Sequence, residues 1–533
     1  MYYFQKSQLK LNSEIYQKCE KIFQQILIKI KGKITQRQRN DQEQIKAKVL
    51  QASGIVGIVY IENQSFLVYV ENVFAKCIIK DYHDVYEVAN INYEPIMVLK
   101  NEVNNKYEFK YNRELTFQQK EILTDKKNQI AKIFQTGFYF SLSYPLTLSK
   151  QKINMNKDCD QQFCWNYEML SEFRKSGIHQ SWLVQYIQGY VGHFDTKINN
   201  IQFYLISRRA WNRGGTRYNH RGADDQGHTS NYVETEQLLI QKEKLGNNTY
   251  YNFNTVSYVQ IRGSIPLVWS QKGYTKSELF YEQNQNIQKN TFNLHFGQLI
   301  KDYQKVLCLN LLQMQNESEY FLTKEYENHI KNNKDLKQYL NYQYFDFHDQ
   351  CKGNNYKSID KLLYTLQPTI KGFNLYYEKY EGESTQIQLQ QGVVRTNCLD
   401  CLDRTNVIMM KIGALALSDM FLVLNYNLKE KQLSGINILE HLDINSNLQN
   451  TILINFKHQW ADMGDNISQQ YAGTGASTTQ ITKTGQAGMF EKSFKGIQRF
   501  YKQNFEDDFK QECYKIIWGR NKPDQADQEL EEF

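Results

Sequence analysis

Proline is scarce in this chain, at five residues in 533, which argues against long disordered linkers. Cysteine is thin and unpaired in number. Nine residues are scattered from Cys19 to Cys513, without the dense spacing of a small disulfide-stapled domain. A reducing, cytosolic setting is therefore expected. The N-terminus, Met1-Tyr2-Tyr3-Phe4-Gln5-Lys6, lacks a charged region followed by an apolar run, so no signal peptide is expected. Long apolar runs are also missing. The best, Asn406 to Tyr426, is broken by Lys411, Ser418 and Asp419, and reads as a buried helix because charge at mid-membrane is costly. No pronounced basic tract, nucleic-acid motif or internal repeat occurs.

What is present is ample apolar material, 41% hydrophobic and 14% aromatic, in a chain too long for one ordinary core. Two or three domains are expected. Gln, Asn, Lys and Tyr are enriched throughout. The net charge of +7 is mildly basic and suits an anionic partner, whether nucleic acid or a lipid surface. Gly54 to Ile61 and Phe66 to Val70 read as strands around a turn, and Cys77 to Ile79 as a third. Before them, Lys29 to Lys48 is a basic, Gln-rich stretch. Thr116 to Phe134 reads as an amphipathic helix, with Phe117, Ile122, Leu123, Ile130, Ile133 and Phe134 inward. Further strands are expected at Ile201 to Ile206, Tyr258 to Ile261, Leu307 to Leu312 and Gly392 to Arg395, with helices between several of them. The pattern predicts an α/β catalytic domain behind a β-rich N-terminal one.

The chemistry concentrates in Arg395-Thr396-Asn397-Cys398-Leu399-Asp400-Cys401-Leu402-Asp403-Arg404-Thr405-Asn406. Cys398 and Arg404 form a Cys-x5-Arg pair between a short strand and an apolar helix. That spacing lets five residues wrap their N–H groups into a cup, with the positive end of the helix aimed at it. Such a cup binds phosphate and lowers the thiol pKa, so Cys398 can attack as thiolate. Arg404 supplies a planar fork for phosphate oxygens. The loop residues Asn397, Leu399, Cys401, Leu402, Asp403 and Thr405 are candidate phosphate-site residues, and Thr405 is placed to hydrogen-bond the sulfur. An ionised Asp inside the cup would repel phosphate. Asp400 is therefore favoured as a proton donor to the leaving alcohol, with Asp403 pairing Arg395 or supporting the loop. Cys398-x-x-Cys401 would also suit half a zinc site or a redox pair.

The stretch resembles the signature of the Sac-domain phosphoinositide phosphatases, Arg-x-Asn-Cys-x-Asp-Cys-Leu-Asp-Arg-Thr-Asn, with every fixed position filled. Other blocks agree in order. They include Leu205 to Arg209, Gly215 to Tyr218, Arg221-Gly222, Asn231 to Gln237, Gln260 to Pro266, Trp269 to Gln271, Phe345 to His348, Trp460 to Asp462 and Gln470 to Ala476. The likeness reaches to about residue 520. It implies a β-rich Sac subdomain over 1–185, a catalytic Sac domain over 186–520 and an acidic tail over 521–533. It further implies hydrolysis of inositol-ring monophosphates, chiefly the 4-phosphate and also the 3-phosphate of phosphatidylinositol, with no metal or other cofactor. By position, Cys398 becomes the nucleophile, Arg404 the phosphate binder and Asp400 the acid. The implied partner is a phosphoinositide in a membrane surface, with no nucleic acid. The closest family members carry C-terminal transmembrane anchors, whereas Asp524 to Phe533 is acidic. A peripheral cytoplasmic protein on endoplasmic reticulum, Golgi or endosome is thus expected, with a protein partner to recruit it. A catalytically idle lipid-binding scaffold and a phosphotyrosine phosphatase are the rival readings.

Outside the loop, Arg208, Arg209, Arg217 and Arg221 either face lipid headgroups or pair with Glu234, Glu236, Asp224 or Asp225. Asp346 and His348 sit on a strand-like run with Phe345 and Phe347. Gly473 and Gly475 suggest a tight turn. Phe494, Ile497, Tyr501 and Phe505 share a helical face, with Lys492, Lys495, Arg499 and Lys502 elsewhere around it, for packing or for lying on a bilayer.

Overall fold

A computed structural model describes residues 52–519, except 425–445, 477–506 and short interruptions at 62–63, 101–106, 112–116, 156, 158, 178–182, 218–219, 245–250, 273–277, 353–356 and 382–383. The basic stretch before Gly54, the Phe494 to Phe505 face and the acidic tail lie outside the described residues.

Alternating β-branched and aromatic segments assemble into a 14-stranded sheet. Its strands are β1 (Gly54–Ile61), β2 (Gln64–Ile79), β3 (His83–Lys100), β4 (Tyr107–Tyr111), β5 (Phe138–Phe140), β6 (Ile187–Asp195), β7 (Ile201–Arg209), β8 (Val233–Lys244) and β9 (Tyr251–Arg262). A separate two-stranded ribbon, β10 (Trp269–Lys272) and β11 (Glu278–Tyr281), follows. The sheet resumes with β12 (Lys305–Asn310), β13 (Leu340–Tyr344), β14 (Tyr376–Glu381), β15 (Ser384–Gln388) and β16 (Gly392–Asn397). The order is β1-β2-β3-β5-β6-β7-β8-β9-β16-β12-β13, with β4 on β3 and the β14–β15 hairpin on β9. The expected strand at Cys77 to Ile79 is the end of β2, not a separate element.

Strands β1 to β9 pair antiparallel with their neighbours, and the sheet crosses residue 185 through the β5–β6 pairing. From β9 onward the character changes. Strands β9, β16, β12 and β13 are parallel, which requires crossover connections. Helices supply them: α3 (Gln285–Tyr303) before β12 and α4 (Glu317–Asn332) before β13. An earlier helix, α1 (Phe117–Phe134), buries Ile130, Ile133 and Phe134 as the sequence predicts. The short α2 (Lys150–Asn154) lies against β8.

All six residues of β16 are buried, and its side chains alternate between two cores. Val394 joins the cluster containing Leu307 and Leu309, while Val393 joins that of Val306 and Cys308. The first core is completed by α5 (Lys357–Lys371), α6 (Asp403–Val423) and α7 (Ser446–Ala472). Helix α6 is the one described helix long and apolar enough to cross a membrane. Its apolar residues, from Val407 through Phe421, are instead inside the protein core. The last described helix, α8 (Asp507–Ile517), packs Cys513, Tyr514 and Ile517 against α1 and β1.

One local expectation fails. Phe345 to His348 is not a strand. Asp346 caps a single helical turn, Phe347–Gln350, accepting from the Asp349 N–H at 3.0 Å and from the Met314 N–H at 3.0 Å. A carboxylate that satisfies two orphan N–H groups ends the strand there. His348 points to solvent.

Candidate active site

Parallel strands put their carboxyl ends on one edge, where ligands bind in open α/β sheets. Strand β16 ends at Asn397, beside Asn310 at the end of β12. The two asparagines are joined, Asn397 Nδ2 donating to Asn310 Oδ1 at 2.8 Å, and the Leu311 N–H donates to the Asn397 carbonyl at 2.9 Å. This fixes the exit of Cys398. The following residues turn through Cys401, which takes a left-handed φ of 53°. Asn231 Nδ2 holds the turn by donating to the Asp400 carbonyl at 2.9 Å.

Helix α6 then starts at Asp403 with Leu402 as its cap, which offers no side-chain acceptor to the first N–H groups. An uncapped helix start leaves those donors for an anion. The helix is held in place from the sheet. Gln260 Nε2 donates to the Met409 carbonyl at 3.1 Å, Gln237 Nε2 to Gly413 at 2.8 Å, and Arg262 Nη2 to Asn406 Oδ1 at 2.9 Å.

The two loop sulfurs are unequal. Cys398 Sγ accepts the Cys401 N–H at 3.0 Å. Burial opposes its ionisation. The Cys401 thiol, the Arg404 charge and the Thr405 hydroxyl together outweigh that, and the Cys398 thiol is pulled down to about 6. The Thr405 hydroxyl lies close enough to contribute without being aligned as a hydrogen bond. Cys401, pushed well above its usual value by burial and by the neighbouring sulfur, stays a thiol. Among the described residues, no group of three His, Cys, Asp or Glu side chains is placed to hold a metal.

Arg404 lies on the first turn of α6. Its Nη1 donates to Glu319 Oε2 at 3.1 Å and to the Leu311 carbonyl at 3.3 Å. Burial works against its charge, but Cys398 and Glu319 more than restore it, and the guanidinium is firmly cationic. Glu319 is buried and also accepts the Gln313 N–H at 2.8 Å. No motif in the sequence marks it as a partner of Arg404. Its one signal is the spacing Asn316-x-x-Glu319 at the start of α4, where Asn316 Oδ1 caps the Glu319 N–H at 3.0 Å. In a capping box the Glu would reach back to its own cap. Here it reaches to Arg404.

Asp400 faces outward between two arginines. Arg221 Nε and Nη2 reach its Oδ1 at 3.1 and 2.5 Å, and Arg217 Nε lies 2.9 Å from Oδ2. Burial favours its neutral form, but the charges of Arg217 and Arg221 prevail and hold it far below the usual carboxylate range. In this geometry Asp400 is an ionised, ion-paired group.

The other loop candidates divide. Asn397, Cys401, Leu402 and Thr405 are buried, while Leu399, Asp403 and Arg404 are half-buried. Asp403 lies on the first turn of α6, but the expected pair with Arg395 does not form. Arg395 is wholly buried behind the loop, where its Nε bonds His295 Nε2 at 3.2 Å and its Nη2 bonds the Ser264 carbonyl. Its alternation on β16 sends it away from the helix start. His295 can accept because burial and the Arg395 charge keep it neutral, and its Nδ1–H donates to the Gly227 carbonyl at 2.9 Å. Of the four arginines outside the loop, Arg208 pairs Glu234 and Glu236 as expected. Arg209 bonds Gln188 Oε1 and the Gly215 carbonyl. Arg217 and Arg221 pair Asp400 in place of Asp224, which bonds His228. Gly473, with φ of 70°, ends α7 as a left-handed cap. Just before it, Tyr471 donates to the His220 carbonyl at 2.7 Å, so this turn braces the arginine loop.

The end of β16 and the start of α6 thus bring together an ionisable Cys398 thiol, a helix start without a side-chain cap and a guanidinium braced by Glu319. Comparison with known proteins gives the family of the chain. Residues 53–352 match the SacI homology domain. Phosphatidylinositol-3-phosphatase SAC1-B of Danio rerio is 30% identical over 436 residues, covering 76% of this chain and 69% of that protein. Phosphatidylinositide phosphatase SAC2 of Danio rerio is 29% identical over 442 residues, covering 74% and 36%. Human synaptojanin-1 is 31% identical over 411 residues, covering 74% and 23%. The chain therefore belongs to the SacI homology family, while spanning about two thirds of one relative and much less of the others.

Proposed function

We propose that this chain is a phosphoinositide phosphatase that hydrolyses inositol-ring monophosphates, chiefly phosphatidylinositol 4-phosphate and also the 3-phosphate, through a cysteinyl-phosphate intermediate. The observation that carries the reading is the ionisable Cys398 between the end of β16 and the uncapped start of α6, with Arg404 fixed beside it. The thiolate of Cys398 attacks phosphorus in line, and the ring alcohol departs with a proton. The loop N–H groups and Arg404 hold the equatorial oxygens of the flattened phosphoryl group, where their contacts are worth most. Water then breaks the S–P bond, and the Thr405 hydroxyl steadies the departing thiolate. Asp400 serves as the proton donor only once its pairing with Arg217 and Arg221 is relaxed, since a paired carboxylate has no proton to give.

The relatives' names supply the substrate class: two are phosphatases of phosphatidylinositol lipids. The same reading places the protein peripherally on the cytoplasmic face of an endomembrane, with a protein partner recruiting it. The test is phosphate release from liposomes carrying single phosphoinositides, wild type against Cys398→Ser, without added metal. Release from a monophosphorylated lipid, lost in the variant, is expected. Lipid binding by folded protein with no release from any lipid would instead establish the scaffold reading, and release from phosphotyrosyl peptides alone would establish the protein phosphatase.

A further inference from the structure

The Asp400 carboxylate is bound the way proteins bind a small external anion. Two guanidinium groups converge on it, one through two nitrogens. Arg221 is braced from behind by Gln271 Oε1 of the β10–β11 ribbon, 2.5 Å from its Nη1, and is only 3% exposed. Arg217 and Asp400 are 18% and 20% exposed, so the pair opens toward solvent. A purely structural ion pair has no need of that opening. A phosphate offers more oxygens and charge to guanidinium forks than a carboxylate does. Only one residue separates Asp400 from Cys398, so this cationic pair adjoins the phosphate cup.

Resting on the phosphatase reading above, we infer that Arg217 and Arg221 form a second anion subsite for another phosphate of the same inositol headgroup, with Asp400 as its tethered stand-in. A phosphoinositide headgroup always carries such a group, because the ring is joined to glycerol through a phosphodiester. When that phosphate takes the arginines, Asp400 is displaced beside the reacting bond and loses the two cations that keep it ionised. One substrate thereby both fills the subsite and releases the proton donor. A phosphate monoester with no second anion leaves Asp400 where it is.

Binding to Cys398→Ser protein tests this without turnover. Isothermal titration is run with inositol 4-phosphate, inositol 1,4-bisphosphate and inorganic phosphate. The bisphosphate is expected to bind roughly 10- to 100-fold more tightly than the monophosphate, as for paired charged hydrogen bonds. Adding Arg217→Gln should abolish that gain while keeping monophosphate binding, which also reports an intact cup. Adding Asp400→Asn should widen the gain, since the stand-in's charge is gone. A gain that survives Arg217→Gln, or that Asp400→Asn leaves unchanged, overturns the subsite. So does an Arg217→Gln protein that binds neither ligand, because the arginine then holds the loop and not a ligand. Inorganic phosphate binding as tightly as the bisphosphate would overturn assignment to a headgroup. If the Cys398→Ser parent binds neither inositol phosphate, the phosphatase reading falls with the subsite. Monophosphate binding with no bisphosphate gain removes the subsite alone.

Discussion

Two arginine clusters in this protein use the same chemistry to different ends. At the centre of the sheet, Arg208 Nη1 and Nη2 meet Glu234 at 3.3 Å and Glu236 at 2.7 Å, and its Nε and Nη2 also bond the Leu146 and Leu148 carbonyls. Lys152 of α2 closes the group through Glu234 and Asp160, at 3.0 and 2.9 Å. Arg208, Glu234 and Glu236 have no meaningful exposure, so nothing can replace a partner. At the rim of the parallel part, Arg217 and Arg221 hold Asp400, and Arg404 is held by Glu319; Arg217, Asp400 and Arg404 are partly exposed, near the Cys398 sulfur. Burial alone does not separate structural from functional charge here. The useful distinction is whether another ligand can take a partner's place.

The closed cluster should break most expensively. Replacing Arg208 with Met leaves Glu234 and Glu236 facing one another without it, and is expected to cost about 3–5 kcal/mol in urea unfolding. The alkylation behaviour of Cys398 in the folded fraction should be unchanged. At the rim the loss should appear in rate. Arg404→Met is expected to lower kcat/KM by about 10²–10³-fold, the usual loss for one donor to a developing oxyanion. Glu319→Gln, which keeps an acceptor but removes its charge, should cost roughly tenfold. Near-normal rates in both variants would remove the distinction between the clusters.

A pH titration sharpens the comparison further. Iodoacetate alkylation of the Cys398 peptide, followed by mass spectrometry, should rise with pH to a midpoint near 6, since the thiolate reacts. In Arg404→Met that midpoint should move upward toward the unperturbed 9.0, because a cation favouring the thiolate is gone. An unchanged midpoint would show that Arg404 does not tune the sulfur. The smallest effect is on stability. His295 is kept neutral in the fold, with its pKa well below the ordinary 6.5. The unfolded chain therefore takes up a proton there first as pH falls. Stability from this group is intact above 6.5 and declines below it, by at most about 1.4 kcal/mol per pH unit. His295→Gln should flatten that decline in urea unfolding between pH 7 and 5, while an unaltered slope would assign it to other groups.

The sequence makes the loop legible because its chemistry is local. Cys398 and Arg404 are six positions apart, and the β-branched run Gly392 to Arg395 and the apolar run after Asn406 announce a strand and a helix on either side. The strand start at Gly54 is likewise visible from local periodicity, whereas β9 begins at Tyr251, before the expected Tyr258. What is not legible depends on pairing across the fold. Glu319 is 85 residues from Arg404, and Arg221 is 179 from Asp400. Local reading offers Arg221 lipid headgroups or nearer carboxylates as partners, and gives Glu319 none. Asp403 and Arg395 look complementary in sequence, but alternation along β16 sends Arg395 to His295 instead. Asp346 turns from a strand residue into a helix cap, accepting from the nearby Asp349 N–H and also from the Met314 N–H, 32 residues away.

The central claim is that Cys398 carries the phosphoryl group. The direct measurement is rapid quench of the enzyme, turning over phosphate-labelled short-chain phosphatidylinositol 4-phosphate, into alkaline detergent, followed by peptide mapping. Label on the peptide containing Cys398, appearing before free phosphate and absent in Cys398→Ser, is the predicted result. Steady phosphate release with no label on that peptide, or release that survives Cys398→Ser, would contradict it.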